Sequence, residues 1–431
     1  MVDKTTVAVH LDAARQRSLD LLAPLSDADL VRQHSPIMSP LVWDLAHVGN
    51  YEELWLLRAV SGAPPIDAAL DDIYDAFRHP RPDRPALPLL GPAGARRYLG
   101  DVRSRALDVL DALAGFDAGE ASLLTDAFVY GMVIQHEHQH DETMLATLQL
   151  MGGDGYRPLA PAPPPGAALG STEIRVPGGP FVMGTDDEAW AFDNERPAHV
   201  VDLEAFWIDP APVSNGQYLD FMGDRGYHER RWWTDEGWAW RTETGVEHPQ
   251  FWRHDGGTWA RNRFGWEEAV PVDEPVQHVC WHEASAYAAW AGRRLPTEAE
   301  WEKAASWPGD GHKHRFPWGD QHPADRCVAN LSQHHFRPAP VGAYPAGATP
   351  GGCRQLLGDV WEWTSSDFEA YPGYRSYPYR EYSEVFFDSG YKVLRGGSWA
   401  THPTAVRTTF RNWDHPVRRQ IFAGFRCARD D

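Results

Sequence analysis

The chain has 431 residues, more than one hydrophobic core usually serves, so its length predicts two domains. Its 61 acidic and 40 basic residues give a net charge of −21, which argues against a nucleic-acid partner or an anionic membrane surface. No apolar run reaches the ~20 residues that cross a bilayer, and no secretory signal is visible. The four scattered cysteines form neither a disulfide framework nor a CxxC zinc motif, so we expect a cytoplasmic protein, and a monomer.

Four segments in the first third of the chain show the helical spacing of apolar residues. They are residues 7–22, 40–60, 93–113 and 121–151. Thr5 or Thr6 is the candidate N-cap of the first segment and Pro24 ends it, while Ser39-Pro40 begins the second. Four helices of this length predict a four-helix bundle.

The composition changes after Gly152-Gly153. Residues 157–166 are rich in proline, which neither a helix nor a central strand tolerates. We therefore predict domains at residues 1–153 and 173–431, joined by a linker at residues 154–172.

The second part of the chain is rich in glycine, proline and tryptophan. Its strand-like stretches are residues 181–183, 200–203 and 391–394, and its clearest helices are residues 214–222, 283–291 and 297–305. Thr297 and Glu300 form a capping box at the start of the last helix. The tryptophans would supply the core that such a loop-rich domain otherwise lacks.

The run His136-Glu137-His138-Gln139-His140 carries the clearest chemical signal. On a helix, His136 and His140 share one face, while His138 points roughly the opposite way. A buried imidazole pair costs solvation free energy, and a metal ion is one of the few partners that offsets that cost. Zinc would favour hydrolysis and iron(II) would favour O₂ chemistry, and the residues alone leave both metals open.

Several motifs of the second part resemble the formylglycine-generating (sulfatase-modifying factor) fold, an α+β domain related to C-type lectins. They are Gly178-Gly-Pro-Phe-Val-Met-Gly184, Pro212-Val-Ser-Asn215, Arg294-Leu-Pro-Thr-Glu-Ala-Glu-Trp-Glu302, Gly358-Asp-Val-Trp-Glu-Trp363, Arg395-Gly-Gly-Ser-Trp399 and Gly424-Phe-Arg-Cys427. In oxidase members of that family, two cysteines after the Arg-Gly-Gly-Ser segment hold copper. Residues 399–407 contain no cysteine, so we do not expect formylglycine chemistry.

The first part resembles the DinB bundle, whose members carry three histidines on two helices. Trp43-Asp-Leu-Ala-His47 and the pair His136/His140 match that pattern. A DinB-like bundle followed by a formylglycine-generating-like domain is the architecture of the ergothioneine-biosynthesis sulfoxide synthases. The resemblance extends to Tyr379-Arg-Glu-Tyr-Ser383 and Phe410-Arg-Asn-Trp-Asp-His-Pro416. It implies an iron(II) site with His47, His136 and His140 as ligands.

The same resemblance implies the reaction. The enzyme would use O₂ to join the sulfur of γ-glutamylcysteine, or of cysteine, to the imidazole C2 of Nα-trimethylhistidine (hercynine), giving a sulfoxide. Both sulfur donors stay open. The resemblance puts the metal ligands in the first part of the chain and a reacting tyrosine, Tyr379, in the second, so we expect a site at a domain interface.

Residue roles follow from the resemblance. Tyr379 would donate a proton or a hydrogen atom to the reacting oxygen, and Tyr382 would contact substrate. Asn412 and Trp413 would contact the trimethylammonium group, which aromatic faces recognise, and Gln139 would bind the imidazole or the carboxylate of hercynine.

The dipeptide carries carboxylates and an ammonium, which arginine and aspartate complement. Asp414 and Arg418 would supply one of each. Arg81 and Arg84 resemble the family's dipeptide clamp, with Arg78 as a competing choice.

Three further residues are candidates outside the site set. Asp44 and Glu142 are candidates to orient a ligand ring, although each also reads as an ordinary carboxylate on a helix surface. A structural calcium ion near Asn330 is an expectation from fold analogy.

Three other functions compete. His136-Glu137-x-x-His140 is the zincin pattern, in which Glu137 would act as a general base, but no third ligand follows it. A zinc-dependent DinB-type thiol transferase explains the histidines and leaves the second domain unexplained. A non-enzymatic ligand-binding module on the lectin-like fold leaves the histidines without a role.

Overall fold

The computed structural model describes residues 2–116, 122–152, 156–309, 311–323 and 327–431. The chain divides into two compact units, Met1–Arg157 and Pro158–Asp431. The division falls inside the proline-rich segment, and the exact bounds 154–172 of the linker stay a prediction. Among the described residues, we find no helix with the length and apolar character needed to span a bilayer.

The first unit is helical, as predicted. Its helices are α1 (Lys4–Leu22), α2 (Asp27–Val31), α3 (Leu41–Glu52), α4 (Ala69–Ile73), α5 (Pro92–Ala112) and α6 (Phe128–Met151). A π-helical turn at Glu53–Ala59 continues α3. The four long helices pack as a bundle in which α1 contacts α6 and α3 contacts both α5 and α6.

Two helix starts differ from the sequence prediction. Helix α1 begins after Asp3, whose Oδ1 accepts a hydrogen bond from the backbone N–H of Thr6 at 2.7 Å, so the prediction of Thr5 or Thr6 as N-cap is wrong. The Asp3 carboxylate satisfies one of the free N–H groups of the first turn and complements the helix dipole. Helix α6 begins at Phe128, and the predicted start at residue 121 lies outside the described residues.

Gly49 allows α3 and α5 to approach closely. A Cβ atom at this position would lie 2.8 Å from Cδ2 of Leu99, closer than packed carbon atoms tolerate. The turn of α3 that carries His47 is therefore held directly against its neighbour.

The second unit is an α+β domain, as predicted. Its strands are β1 (Ile174–Val176), β2 (Gly179–Met183), β3 (His199–Leu203), β4 (Phe206–Ile208), β5 (Trp252–Asp255), β6 (Thr258–Arg263), β7 (Trp266–Ala269), β8 (Trp361–Asp367), β9 (Lys392–Arg395), β10 (Arg411–Asp414), β11 (Ala423–Gly424) and β12 (Ala428–Asp430). Its helices are α7 (Asn215–Gly223), α8 (Asp235–Thr244), α9 (Trp281–Trp290) and α10 (Glu298–Ser306).

The strands among the described residues of this unit form four small sheets. Their orders are β10-β9-β8-β11, β1-β4-β12, β2-β3 and β5-β6-β7. The predicted strands correspond to β2, β3 and β9, and the predicted helices to α7, α9 and α10, with the capping box of Thr297 and Glu300 in place. Sequence reasoning did not find α8 or the β5–β7 meander, whose exposed strands lack clean apolar alternation.

Buried ion pairs hold the core of this domain together. Arg395 bonds Glu298 and Glu302, and Arg426 bonds Glu362 with Nε at 2.7 Å from Oε2. All of these side chains are at most 6 % exposed. Removing one partner of such a pair would leave an uncompensated buried charge, so these motif residues act in folding.

Part of the predicted linker packs on the second unit. Nδ1 of His335 lies 2.9 Å from the carbonyl oxygen of Pro161, and the N–H of Ala167 donates to the carbonyl of Gly342 at 3.1 Å. This segment is therefore fixed to the domain that follows it.

Candidate functional site

Three histidines from two helices of the first unit come together. His47 lies on α3, and His136 and His140 lie one turn apart on α6. One side-chain nitrogen from each lies within 4.8 Å of the other two, and the ring centroids are 4.6 to 5.1 Å apart. Within the described parts of the chain, no other set of three or more His, Cys, Asp or Glu side chains converges in this way.

Hydrogen bonds orient two of the three rings. Nδ1 of His47 lies 2.8 Å from the carbonyl oxygen of Tyr74, and Nδ1 of His140 lies 3.1 Å from Oδ1 of Asp44. Each contact makes Nδ1 the protonated nitrogen and leaves the lone pair of Nε2 available to a metal ion. Metal-bound histidines adopt this arrangement.

Aromatic stacking holds the other faces of the rings. Trp43 stacks on His47 with centroids 4.6 Å apart, and Tyr51 stacks on His136 at 3.7 Å. The guanidinium of Arg84 covers Trp43 at 3.6 Å from its ring centroid. These stacks restrict the orientation of the rings of His47 and His136.

The electrostatics favour neutral rings. Burial lowers the pKa of both His47 and His136 well below 6.5, and the neighbouring His140 lowers each further. Neutral imidazoles are the form that binds metal, so the three residues fit a divalent transition-metal ion. With no carboxylate among the three donors, the ion would keep its full charge and, if octahedral, three open positions.

Glu137 faces away from the three histidines. Its carboxylate receives Nε of Arg15 at 2.8 Å and lies 3.4 Å from Nη2 of Arg103, inside a buried cluster with Glu52. It is therefore not placed as a metallopeptidase base, and the zincin alternative is wrong. His138 also points away, with Nδ1 3.1 Å from Asp141, as the helical spacing predicts.

The predicted arginine clamp is placed unevenly. Arg84 is buried, and each of its three guanidinium nitrogens bonds the protein, at Ser39 Oγ and at the carbonyls of Ala76 and His79. Arg81 is half-buried and donates to the carbonyl of Ile37 at 3.0 Å. The competing Arg78 is exposed and pairs with acidic neighbours.

The two remaining candidates of the first unit, Gln139 and Glu142, are half-buried. Gln139 and Glu142 both lie on α6, and the backbone carbonyl of Gln139 accepts a bond from Thr143 Oγ1 at 3.2 Å. Gln139 lies between His136 and His140 on α6, so its place on the helix follows directly from theirs.

The predicted substrate-contacting aromatics form a chain of rings in the second unit. Tyr379 meets Tyr382 edge-on at 6.2 Å, and Tyr382 meets Trp413 edge-on at 6.2 Å. Phe192 stacks on Tyr382 at 4.3 Å, and Phe368 stacks on Trp413 at 4.0 Å. Packing thus brings Tyr379 and Trp413 to one region of the domain, although 34 positions of numbering separate them.

The polar candidates of this unit lie on or just after β10. Oδ1 of Asn412 accepts the backbone N–H of Trp413 at 2.9 Å, and Oδ1 of Asp414 accepts that of His415 at 2.8 Å. Nε of Arg418 lies 3.6 Å from Asp414. The carboxylate of Asp414 and the guanidinium of Arg418 are therefore neighbours, shortly after Trp413 in the sequence.

Asn330, the residue near which calcium is expected, is buried. Its Nδ2 donates to the carbonyl of Arg337 and to Oδ1 of Asp359, each at 2.9 Å. Its Oδ1 has no hydrogen-bond partner among the described residues. The calcium ion stays a prediction.

Comparison with known proteins identifies the two parts of the chain. Residues 161–431 match the sulfatase-modifying factor enzyme 1-like domain, and residues 10–144 match the DinB superfamily. The chain is 54 % identical to a hercynine oxygenase of Mycolicibacterium thermoresistibile over 99 % of this chain and 95 % of that protein. It is 53 % identical to a hercynine oxygenase of Mycobacterium tuberculosis over the full length of both. The chain belongs to the hercynine oxygenase family.

Family membership confirms the architecture predicted from the sequence motifs, a DinB-like helical region followed by a formylglycine-generating-like domain. The chain is also 30 % identical to the formylglycine-generating enzyme of Bos taurus over 60 % of this chain and 74 % of that protein. The family recognised from the sequence is therefore correct.

Sequence reasoning missed the contacts that Trp43, Tyr51 and Tyr74 make with the histidines, although it named Asp44 as a candidate to orient a ligand ring. Trp43 and Tyr51 lie four residues before and after His47, and Asp44 lies three before it, so helical spacing places all of them near its face. The contact between Asp44 and Nδ1 of His140 supports that candidate role, and the alternative interpretation of Asp44 as a surface carboxylate is wrong because the residue is 1 % exposed. No spacing signal points to the carbonyl of Tyr74, which lies 27 residues from His47.

Proposed function

We propose that the protein is an iron(II)- and O₂-dependent sulfoxide synthase of ergothioneine biosynthesis. It joins the sulfur of γ-glutamylcysteine, or of cysteine, to the imidazole C2 of Nα-trimethylhistidine (hercynine). The observation that carries this proposal is the cluster of His47, His136 and His140 in a chain that is 54 % identical to a hercynine oxygenase over nearly its full length.

The reaction balances with O₂ as the oxidant. One thiol, one imidazole C2–H and one O₂ give one sulfoxide and one water. The S–H and C–H bonds break, and a C–S bond and an S–O bond form. The substrates lose four electrons, which reduce one oxygen atom to the sulfoxide oxygen and the other to water.

His47, His136 and His140 would hold the metal. When bound there, iron(II) would supply O₂ activation and open positions for substrate, whereas zinc with three histidines has no redox chemistry and would activate water instead. The chain's own contribution is rigidity, since Trp43 and Tyr51 stack on the ligand rings and Asp44 fixes the tautomer of His140.

Hercynine carries a trimethylammonium group that cannot donate hydrogen bonds. The face of Trp413 suits this cation, and the amide oxygen of Asn412 suits its polarised methyl groups. Tyr382 packs edge-on against Trp413 and supports it. Gln139, next to the ligand His140 on α6, would bond the imidazole or the carboxylate of hercynine.

The thiol substrate would be held by charge. Asp414 matches the ammonium of γ-glutamylcysteine, and Arg418 and Arg81 match its carboxylates. Arg84 belongs to the same proposed clamp, and it also supports Trp43 beneath His47.

Tyr379 would donate a proton or a hydrogen atom from its phenol oxygen to the reacting oxygen. Without that donor, the thiol takes both oxygen atoms of O₂ and becomes a sulfinate, with no C–S bond. The ratio of sulfoxide to sulfinate therefore reports on this step.

Anaerobically purified protein loaded with iron(II) tests the proposal. Adding O₂, hercynine and γ-glutamylcysteine should give one sulfoxide adduct for each O₂ consumed, and parallel reactions with cysteine show which donor is preferred. Zinc-loaded protein should give no sulfoxide. Equal product with zinc, or thiol transfer without O₂ uptake, would replace this proposal with the zinc-dependent thiol transferase.

A further inference from the structure

A buried carboxylate lies beneath the loop that carries Tyr379. Asp193 begins the 3-10 turn Asp193–Glu195 and is 3 % exposed. It accepts three hydrogen bonds, from Oη of Tyr374 at 2.7 Å, from the backbone N–H of Tyr377 at 3.3 Å and from Oγ of Ser383. All three donors belong to the tyrosine loop, residues 374–383.

The three donors bracket Tyr379. Two of them precede it in the sequence and Ser383 follows it, so one carboxylate ties both ends of the tyrosine loop to the same point. Nδ2 of Asn194 reinforces the second end by donating to Ser383 Oγ at 3.0 Å. The backbone between the two ends therefore has little freedom to move away.

The same turn also holds the segment that leads into β10. The carbonyl of Asn194 accepts Nη1 of Arg411 at 2.8 Å, and the carboxylate of Glu195 accepts Nε of Arg407 and Oγ1 of Thr409, each at 2.7 Å. Three consecutive buried residues thus fix the tyrosine loop and the start of the strand that carries Trp413.

We propose that Asp193 is a positioning residue for the oxidation: it holds the phenol of Tyr379 where the reacting oxygen forms and so directs the thiol to sulfoxide rather than sulfinate. The inference rests on the proposed function, and specifically on the role of Tyr379. A charged acceptor suits the task, because ionised carboxylates make stronger hydrogen bonds than neutral groups do and can accept several at once.

Burial raises the pKa of Asp193, while its bonds from Ser383, Tyr374 and Tyr377 lower it, so the contacts offset part of the cost of burying the charge. An amide in its place keeps only one acceptor oxygen and turns a second donor towards the hydroxyl groups. Asp193→Asn is therefore expected to loosen the tyrosine loop while changing few atoms.

The test measures the ratio of sulfinate to sulfoxide for iron(II)-loaded variants under O₂, hercynine and thiol. Tyr379→Phe is expected to raise the ratio, and Asp193→Asn is expected to raise it by about tenfold or more, since misplacement of about 1 Å can cost a hundredfold in rate. The double variant should match Tyr379→Phe alone, because a residue that acts only through Tyr379 has no further effect once the phenol is gone.

Asp359→Asn is the matched control. Asp359 is also fully buried and also accepts three hydrogen bonds, from Ala339 N, Asn330 Nδ2 and Gln355 Nε2, and none of these donors belongs to the tyrosine loop. This variant should lose stability and keep the wild-type product ratio. A shift equal to that of Asp193→Asn would reduce the role of Asp193 to general stability and overturn the inference.

Ser383→Ala gives a second route if Asp193→Asn does not fold. It deletes one hydroxyl and leaves the charge in place, and it should raise the ratio by about three- to tenfold, as expected for one lost bond to a charged group. If Tyr379→Phe shifts the ratio while Asp193→Asn and Ser383→Ala do not, the inference is wrong and the proposed function stands. If Tyr379→Phe leaves the ratio unchanged, the role of Tyr379 in the proposed function fails, and this inference fails with it.

Discussion

Nδ1 of His140 lies 3.1 Å from Oδ1 of Asp44, although 96 positions separate the two residues in the sequence. Asp44 is 1 % exposed, and its second oxygen has no hydrogen-bond partner among the described residues. The contact places a carboxylate against the ring of His140, one of the three candidate metal ligands. It therefore fixes the tautomer of His140 and offsets part of the charge of a bound cation.

Replacing Asp44 should weaken metal binding, and the size of the loss should depend on the substitution. Asp44→Ala removes the acceptor and the charge and should lower the affinity for iron(II) by about 10- to 100-fold. Asp44→Asn keeps an acceptor oxygen and should lose less. Competition with a chelator under anaerobic conditions measures both. Asp101→Asn, on the exposed face of α5, is the control, and equal affinity in all variants would contradict a role for Asp44.

Glu137→Gln should destabilise the bundle and leave the metal site intact. The Glu137 side chain is 2 % exposed, and its carboxylate pairs with both Arg15 and Arg103. Removing its charge leaves the two buried arginines without that partner, which costs about 3 kcal/mol of unfolding free energy. Urea unfolding measures the loss, and metal analysis of the folded protein should show the wild-type stoichiometry. Unchanged stability with lost activity would instead support a general base. Asp108→Asn, on the surface of α5, should affect neither quantity.

Arg84 and Arg81 should separate stability from substrate binding. Arg84→Ala leaves Ser39 and two carbonyls without their donor and should cost about 2 kcal/mol or more of unfolding free energy. Arg81→Ala should leave stability nearly unchanged and raise KM for the thiol substrate. Parallel unfolding curves and KM values decide the matter, and an unchanged thiol KM in Arg81→Ala would remove it from the clamp.

Asp414→Asn should weaken use of the thiol substrate selectively. The ammonium of the thiol substrate loses a charged partner, worth about tenfold in KM, while hercynine makes no ion pair there. Steady-state kinetics with each substrate varied in turn measure the two KM values. Equal losses for both substrates would contradict the role given to Asp414. Asp235→Asn, whose side chain is 97 % exposed, serves as the control.

The second domain should lose stability as the pH falls below about 6.5. Burial lowers the pKa of His278 to about 3, so between these values the unfolded chain binds a proton that the folded ring does not. The unfolding free energy therefore decreases as the pH is lowered. This ring alone should account for a decrease of about 2 kcal/mol between pH 7.5 and pH 5.

His278→Asn tests that assignment, because asparagine tolerates the left-handed backbone at this position (φ 65°) and does not titrate. Urea unfolding at pH 7.5 and pH 5 should show a smaller pH dependence in this variant. The exposed His254→Asn should keep the wild-type dependence, and parallel curves for all three proteins would contradict the assignment.

Local spacing carried much of the sequence analysis because it is a property of the backbone. Four residues along a helix always return to the same face, so His136 and His140 are neighbours wherever α6 lies. The capping box of Thr297 and Glu300 is equally local, and it forms as predicted. Motif resemblance supplied the third histidine and both domain types.

Contacts between distant segments were beyond such rules. Resemblance to the family's dipeptide clamp pointed to Arg84 together with Arg81, but it did not indicate that the guanidinium of Arg84 also bonds Ser39 and covers Trp43. Asp193 carries no motif signal for the tyrosine loop, since its partners lie 181 to 190 positions away. Which exposed-looking polar residue becomes buried depends on which helix or loop covers it.

The sequence by itself determined the two domain types, the helix that pairs His136 with His140, and the opposite orientation of His138, because these follow from local periodicity and from motifs. Only the tertiary structure decided that α3 brings Asp44 to the ring of His140 and that Glu137 pairs with buried arginines. The physical reason is that periodicity fixes the faces of an element, while packing between distant segments decides what each face meets.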